Sequence, residues 1–130
     1  MSFSVRSESS SPQRVTLHLQ GRLDAMTFGE FDEAAVGVLQ QMATGSTVVL
    51  DLSSLDYISS AGLRSVAKIR KAMRARSGYA LLVNPQPQVR KVFDIVKAVP
   101  VSDVFSSVTE LDNYLDRIQR QIVDGDEEDN

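Results

Sequence analysis

Residues 47–66, TVVLDLSSLDYISSAGLRSV, decide how this chain folds. TVVLDL is a continuous apolar run ending at Asp51, the pattern of a strand buried on both faces inside a sheet. From Ser60 onward the period changes, and Leu63, Val66, Ile69 and Met73 recur at helical spacing, a stripe that can face that sheet. A strand therefore feeds a helix through a loop bearing two adjacent hydroxyls, Ser59 and Ser60. Loops leaving the carboxyl end of a strand are where α/β proteins tend to place their sites.

The flanking segments continue the alternation of strand and helix. Phe3 and Val5 share one face of SFSVRSE, and Val15, Leu17 and Leu19 share one face of VTLHLQG. With the breaker SSSPQ (9–13) between them, they read as a hairpin of half-buried strands, with His18 on the polar side. Phe28, Phe31, Ala35, Val38 and Leu39 form a helical stripe behind a capping box of Thr27 and Glu30. Gly78 ends the helix that starts at Ser60, and YALLV (79–83) reads as a further buried strand. Pro85 and Pro87 precede a helix with Val89, Val92, Phe93 and Val96 on one stripe. VSDVF (101–105) reads as a short edge strand. A last helix opens at the capping box Ser107 and Glu110 and carries Leu111, Leu115, Ile118 and Ile122. The fold expected is a single α/β domain, a mixed, mostly parallel sheet of about five strands with four helices and right-handed crossovers. It spans 1–122, followed by an acidic, disordered tail over 123–130.

At 130 residues and 42% hydrophobic, the chain is the size of one domain with a real core. It has no cysteine, which removes disulfides and thiolate metal sites and fits a reducing compartment. No apolar run approaches the roughly 20 residues that span a bilayer, and the polar start lacks a signal-peptide core. The expected location is the cytoplasm. The net charge is −3, yet the last seven residues, DGDEEDN, hold five acids and the rest of the chain is slightly basic. Such a tail repels phosphates and argues against nucleic-acid binding, as do the few aromatics.

The serine pair carries two readings. Serine is among the best helix N-caps, so the pair can be structural. Three features favour a chemical role. A cap needs one serine, not two. Ala61 and Gly62 are small and leave room for another molecule to approach. The helix behind is basic, with Arg64, Lys68, Arg70, Lys71, Arg74 and Arg76 and no acid from 60 to 78. A phosphate on either serine would sit at the positive end of a helix dipole among free backbone N–H groups, adding close to two negative charges.

These residues resemble a known family. VVLDLSSLDYISSAGLRSV, with GRLD upstream and ALLVNPQPQVRKVFDI downstream, is similar to the STAS domain of bacterial anti-anti-sigma factors over about residues 3–120, with DYISSAGL the most specific part. The resemblance implies an anti-sigma factor antagonist: a cytoplasmic regulator with no catalysis of its own, no cofactor and no metal, acting on transcription by partner switching. Unphosphorylated, such a protein binds an anti-sigma factor that is also a serine kinase with a histidine-kinase-like ATPase fold. Phosphorylation releases it, and a metal-dependent serine phosphatase restores it. Neither nucleic acid nor membrane is an implied partner. The SxGL match puts the phosphoacceptor on Ser60. The family's Asp before the acceptor is replaced here by Ser59, which leaves Ser59 as the alternative, and the residue after it is Ala61. Ser59, Ala61, Gly62 and Arg64 are the expected partner-binding residues together with Asp24 of GRLD, which either touches the kinase or braces its own turn. STAS domains also serve as scaffolds or accessory subunits, in stressosomes and lipid transport, without phospho-switching.

Two enzyme-like readings fit less well. A hydrolase elbow reads G-x-S-x-G, whereas this chain has YISSAG, and His18 is the only possible base. A receiver-type phosphoacceptor at Asp51 needs an acidic pair after the first strand, and only Asp24 is offered there.

Overall fold

The computed structural model describes residues 3–98 and 104–125. In chain order the elements are β1 (Ser4–Ser11), β2 (Arg14–Leu23), α1 (Phe28–Leu39), β3 (Thr47–Ile58), α2 (Ser60–Ala75), β4 (Tyr79–Val83), α3 (Pro87–Ala98) and α4 (Val108–Asp124). The sheet has the order β1-β2-β3-β4, with β1 antiparallel to β2 and the other neighbours parallel. The two crossovers step the same way across the sheet, and α1 and α2 pack against each other on one face of it. The core lies there: Leu17, Leu19 and Leu23 of β2 and Leu50 and Leu52 of β3 pack with Phe31 of α1 and Val66, Ile69 and Met73 of α2. The α/β architecture with four helices is the one expected. The proposed fifth strand, VSDVF, falls mostly outside the described residues, and Val104 and Phe105 are not part of the sheet.

β3 is longer than its apolar run. It continues through SSLDYI to Ile58, while β4 pairs only with Thr47–Asp51. Among the described residues, the second half of β3 has β2 on one side and no strand on the other. Buried peptide groups need partners, and glutamine side chains supply them. Gln86 Nε2 donates to Leu55 O at 2.9 Å and Gln88 Nε2 to Asp56 O at 3.0 Å. Gln119, from α4, accepts from Ile58 N–H and donates to Ile58 O, both at 2.9 Å. These amides stand in for a missing strand and lock α3 and α4 to the end of β3.

Other details depart from the sequence pattern. Thr27 makes no side-chain cap to α1; its hydroxyl donates to Arg22 O at 2.7 Å and accepts from Asp24 N–H at 2.9 Å, bracing the loop instead. Phe28 is exposed, and Phe31 and Ala35 carry the buried face of α1. At α4 the box holds in a shifted form: Ser107 Oγ accepts from Glu110 N–H at 3.1 Å, and the Glu110 carboxylate returns to Ser106. α4 runs to Asp124 and ends on Gly125 in the left-handed region, φ 82°, where glycine is unstrained. The rest of the expected tail, 126–130, lies outside the described residues.

The face of the sheet opposite α1 and α2 carries a charged ladder. His18 Nδ1 lies 2.7 Å from Asp51 Oδ2 and Nε2 lies 2.7 Å from Glu8 Oε1, tying β1, β2 and β3 together. His18 is on the polar side, as its alternation implies, but both ring nitrogens are engaged. The hydrogen bonds to Glu8 and then Asp51 raise its pKa above 6.5. Burial pushes Asp51 up, but the Ser53 N–H and His18 outweigh it and hold the carboxyl below its ordinary value. The raised histidine contributes stability that is fully present below its unfolded pKa, about 6.5, and is lost as pH rises through the folded value. The depressed Asp51 contributes above its unfolded pKa, about 4, and loses that as pH falls. Urea midpoints are therefore expected to decline from pH 6 to pH 8.5, and His18→Gln should flatten that decline. An unchanged slope in the variant would contradict the assignment.

Candidate functional site

The site forms where β3 ends and α2 begins, and three successive residues are clamped there by different elements. Gln119 of α4 holds both backbone groups of Ile58. Leu23 O, the last residue of β2, accepts from Ser59 N–H at 3.0 Å. Asp112 Oδ1, again from α4, accepts from Ser60 N–H at 3.0 Å. α2 starts at Ser60, as the sequence requires, with Ser59 extended at φ −104° and ψ −178° as its N-cap.

The serines do not behave as caps. Ser59 makes no side-chain cap hydrogen bond, and the Oγ atoms of both Ser59 and Ser60 are buried with no hydrogen-bond partner among the described residues. Their residues are 5% and 4% exposed. The expectation of an open, accessible backbone is thus overturned, and Gly62 shows why. A Cβ at Gly62 would stand 2.7 Å from Leu23 O and 2.8 Å from Ile58 Cγ1. The first turn of α2 is pressed onto the end of β2, so Ala61 and Gly62 are small for internal packing and are themselves buried. Of the expected partner-binding residues, Ser59, Ala61 and Gly62 are covered, Arg64 is exposed, and Asp24 is half-buried.

Asp24 is bonded within its own turn. Its Oδ1 accepts from Met26 N–H at 3.0 Å, and Arg22 Nε lies 3.6 Å from Oδ2. The Arg22 guanidinium also stacks over the Tyr57 ring, 3.9 Å from its centroid. The turn so held presents Met26, 90% exposed, and Phe28 to solvent. The sequence pattern hides the exposure of Phe28, because that residue fits a helical stripe.

Behind Ser60, a groove of about 990 Å³ runs between α2, α3 and α4. Leu63, Val66, Phe93 and Leu111 give it an apolar floor, and Arg64, Arg70, Lys71 and Arg74 make a basic rim. Not all the helix's charges are free for it. Lys68 pairs with Asp32 at 2.9 Å, and Arg76 holds the carbonyls of Leu39 and Met42.

A buried hydroxyl without a partner costs about 1–3 kcal/mol relative to a satisfied one, and native structures carry few. Ser59→Ala should consequently leave the urea midpoint unchanged or raise it, by up to about 1 kcal/mol in free energy. A true cap would lose about 1 kcal/mol, so a lowered midpoint would restore the capping role.

The enzyme readings find no support in this geometry. Asp51 lies mid-strand, engaged by His18 and by Ser53 N–H at 3.1 Å, rather than at a strand end. Both nitrogens of His18 are bonded to carboxylates and not to a serine. Among the described residues no cluster of His, Cys, Asp and Glu could hold a metal, and no helix is long and apolar enough to cross a membrane.

The chain is 47% identical over 60 residues to BtrV of Bordetella bronchiseptica, a candidate anti-sigma factor antagonist, covering 46% of this chain and 52% of that protein. It is 32% identical over 73 residues to an anti-sigma F factor antagonist of Lysinibacillus sphaericus, covering 51% of this chain and 62% of that protein. The chain thus matches between half and two thirds of the length of these relatives. Among solved structures, the phosphorylated form of the Bacillus cell fate determinant SpoIIAA is similar, with a TM-score of 0.58 and 25% identity over 70% of this chain and 81% of that one. The family model described as the STAS domain matches residues 7–111, which takes in β2 through the start of α4 with both serines, and the chain belongs to the STAS domain family.

Proposed function

We propose that this protein is an anti-sigma factor antagonist that works by partner switching, with Ser60 as the phosphoacceptor. Unphosphorylated, it binds an anti-sigma factor that is also a serine kinase of the histidine-kinase-like ATPase fold. The Ser60 hydroxyl oxygen attacks the γ-phosphorus of ATP on that kinase. The bond to the β–γ bridging oxygen breaks, ADP leaves, and the hydroxyl proton passes to a base of the kinase. The phosphorylated form lets go, and a metal-dependent serine phosphatase resets it. The chain itself catalyses nothing in this cycle.

One observation carries the reading: an unpartnered hydroxyl pair at the first turn of α2, in a chain whose curated relatives are named as anti-sigma factor antagonists. Ser60 is preferred over Ser59 because it also lines the groove between α2 and α4. Met26, Phe28 and Arg64 are exposed, apolar and arginine side chains of the kind that protein-binding surfaces use. Because the Ser60 oxygen is buried, phosphotransfer requires its surroundings to open.

The test uses the complex. Mixed with a serine-kinase anti-sigma factor from its own source and ADP, the protein should co-elute with it, and ATP should dissolve the complex. The Ser60→Ala complex should survive ATP. Dissolution of the Ser60→Ala complex at the wild-type rate would remove Ser60 from the cycle.

A further inference from the structure

We propose that Asp112 is a positioning residue of the switch: its carboxylate occupies the anion position at the start of α2, and phosphorylation of Ser60 displaces it and loosens the first turns of α4. This rests on Ser60 as the acceptor. The modification is then read out as a change in α4 as well as a change of surface charge.

The start of a 16-residue helix leaves backbone N–H groups without intrahelical partners and carries the positive end of the dipole. Ser59, the N-cap, gives none of its side chain to them. An acid 52 residues away does instead, with Asp112 Oδ1 3.0 Å from Ser60 N–H. The Ser60 oxygen lies buried and unpartnered on that same residue. A phosphoryl group attached to it brings close to two negative charges onto the residue whose N–H the Asp112 carboxylate already holds. The two anions repel. The phosphoryl group is covalently fixed, so Asp112 leaves.

The two ends of α4 are anchored differently. Its far part is held by buried Leu115, Ile118 and Gln119, and Gln119 grips Ile58. The near part has weaker ties. Val108 is exposed and Leu111 only partly buried, leaving Asp112 as its hydrogen bond to the body of the domain among the described residues. Losing that bond frees the turns from Val108 to Asp112 and leaves Leu115 onward in place. Because Leu111 and Val108 also line the groove beside α2, the groove changes shape with the phosphate.

The test installs phosphoserine at position 60 during synthesis, so that no kinase is needed, and reads amide hydrogen exchange. In the phosphoprotein, residues 108–112 should lose protection at least tenfold while 115–122 keep theirs. Asp112→Asn in the phosphoprotein should restore that protection, since asparagine has the same shape, no charge, and an N–H to donate to the phosphate. Unchanged protection at 108–112 on phosphorylation would overturn the proposal. So would an Asp112→Asn phosphoprotein as open as the Asp112 one, because the displacement would then not depend on charge. Neither of those results touches kinase recognition, which the ATP-driven release of the complex measures separately.

Discussion

Ser60→Asp is expected to weaken binding to the kinase partner a hundredfold or more while the domain stays folded. A hundredfold loss corresponds to about 2.8 kcal/mol, and a charge placed against a desolvated partner surface costs several kcal/mol when nothing opposite neutralises it. An acid already sits at this residue, since Asp112 accepts from the Ser60 N–H, so the added charge meets a like charge within the domain. The fold survives because the clamps on either side are independent of that oxygen: Leu23 O on Ser59 and Gln119 on Ile58. Ser60→Ala adds no charge and removes an unsatisfied hydroxyl, and it should bind like the wild type. Calorimetric titration of both variants separates the cases. Ser60→Asp within threefold of wild type would mean that charge at this position does not govern docking.

The largest effect on stability is expected at Gln119. Its side chain is 2% exposed and satisfies the N–H and the C=O of Ile58 at once. Gln119→Leu keeps the volume and the helix propensity but strands both groups in the core. At about 1–3 kcal/mol for each unsatisfied group, the loss is roughly 2–6 kcal/mol, a large part of the 5–15 kcal/mol typical of a whole domain. Urea unfolding should show a much lower midpoint, and the variant should also lose order at Ser59 and Ser60, which follow Ile58 directly. A loss under about 1 kcal/mol would mean that water or a local shift replaces the glutamine.

Ser60 and Gln119 mark the two sides of what a sequence makes readable. The strand–helix junction at Ser60, the hairpin, the alternation of β2 and the stripes of α1 to α4 follow from local periodicity, which needs only neighbours three or four residues away. The serine pair stands out for the same reason. The covering of the pair does not, because Asp112 and Gln119 act across 52 and 61 residues. In the sequence, both are ordinary polar residues of an amphipathic helix, and nothing local distinguishes Asp112 from Asp116. Likewise Gln86 and Gln88, in NPQPQV, look like loop polarity until β3 is seen to outrun β4. Gly62 is legible as unusual but not as packing, since Leu23 O lies on another strand. A local signal does exist for β3's extra length: Leu55, Tyr57 and Ile58 are apolar, and all three are buried.

The proposed cycle rests on modification of the Ser60 oxygen by the kinase. Its most direct test is site-mapped mass spectrometry of the full chain after incubation with its serine-kinase partner and ATP. One phosphate, mapped to Ser60 and absent from Ser60→Ala, is the expected result. A phosphate on Ser59 or elsewhere, or none while the kinase is demonstrably active, would contradict Ser60 as the acceptor and the switch built on it.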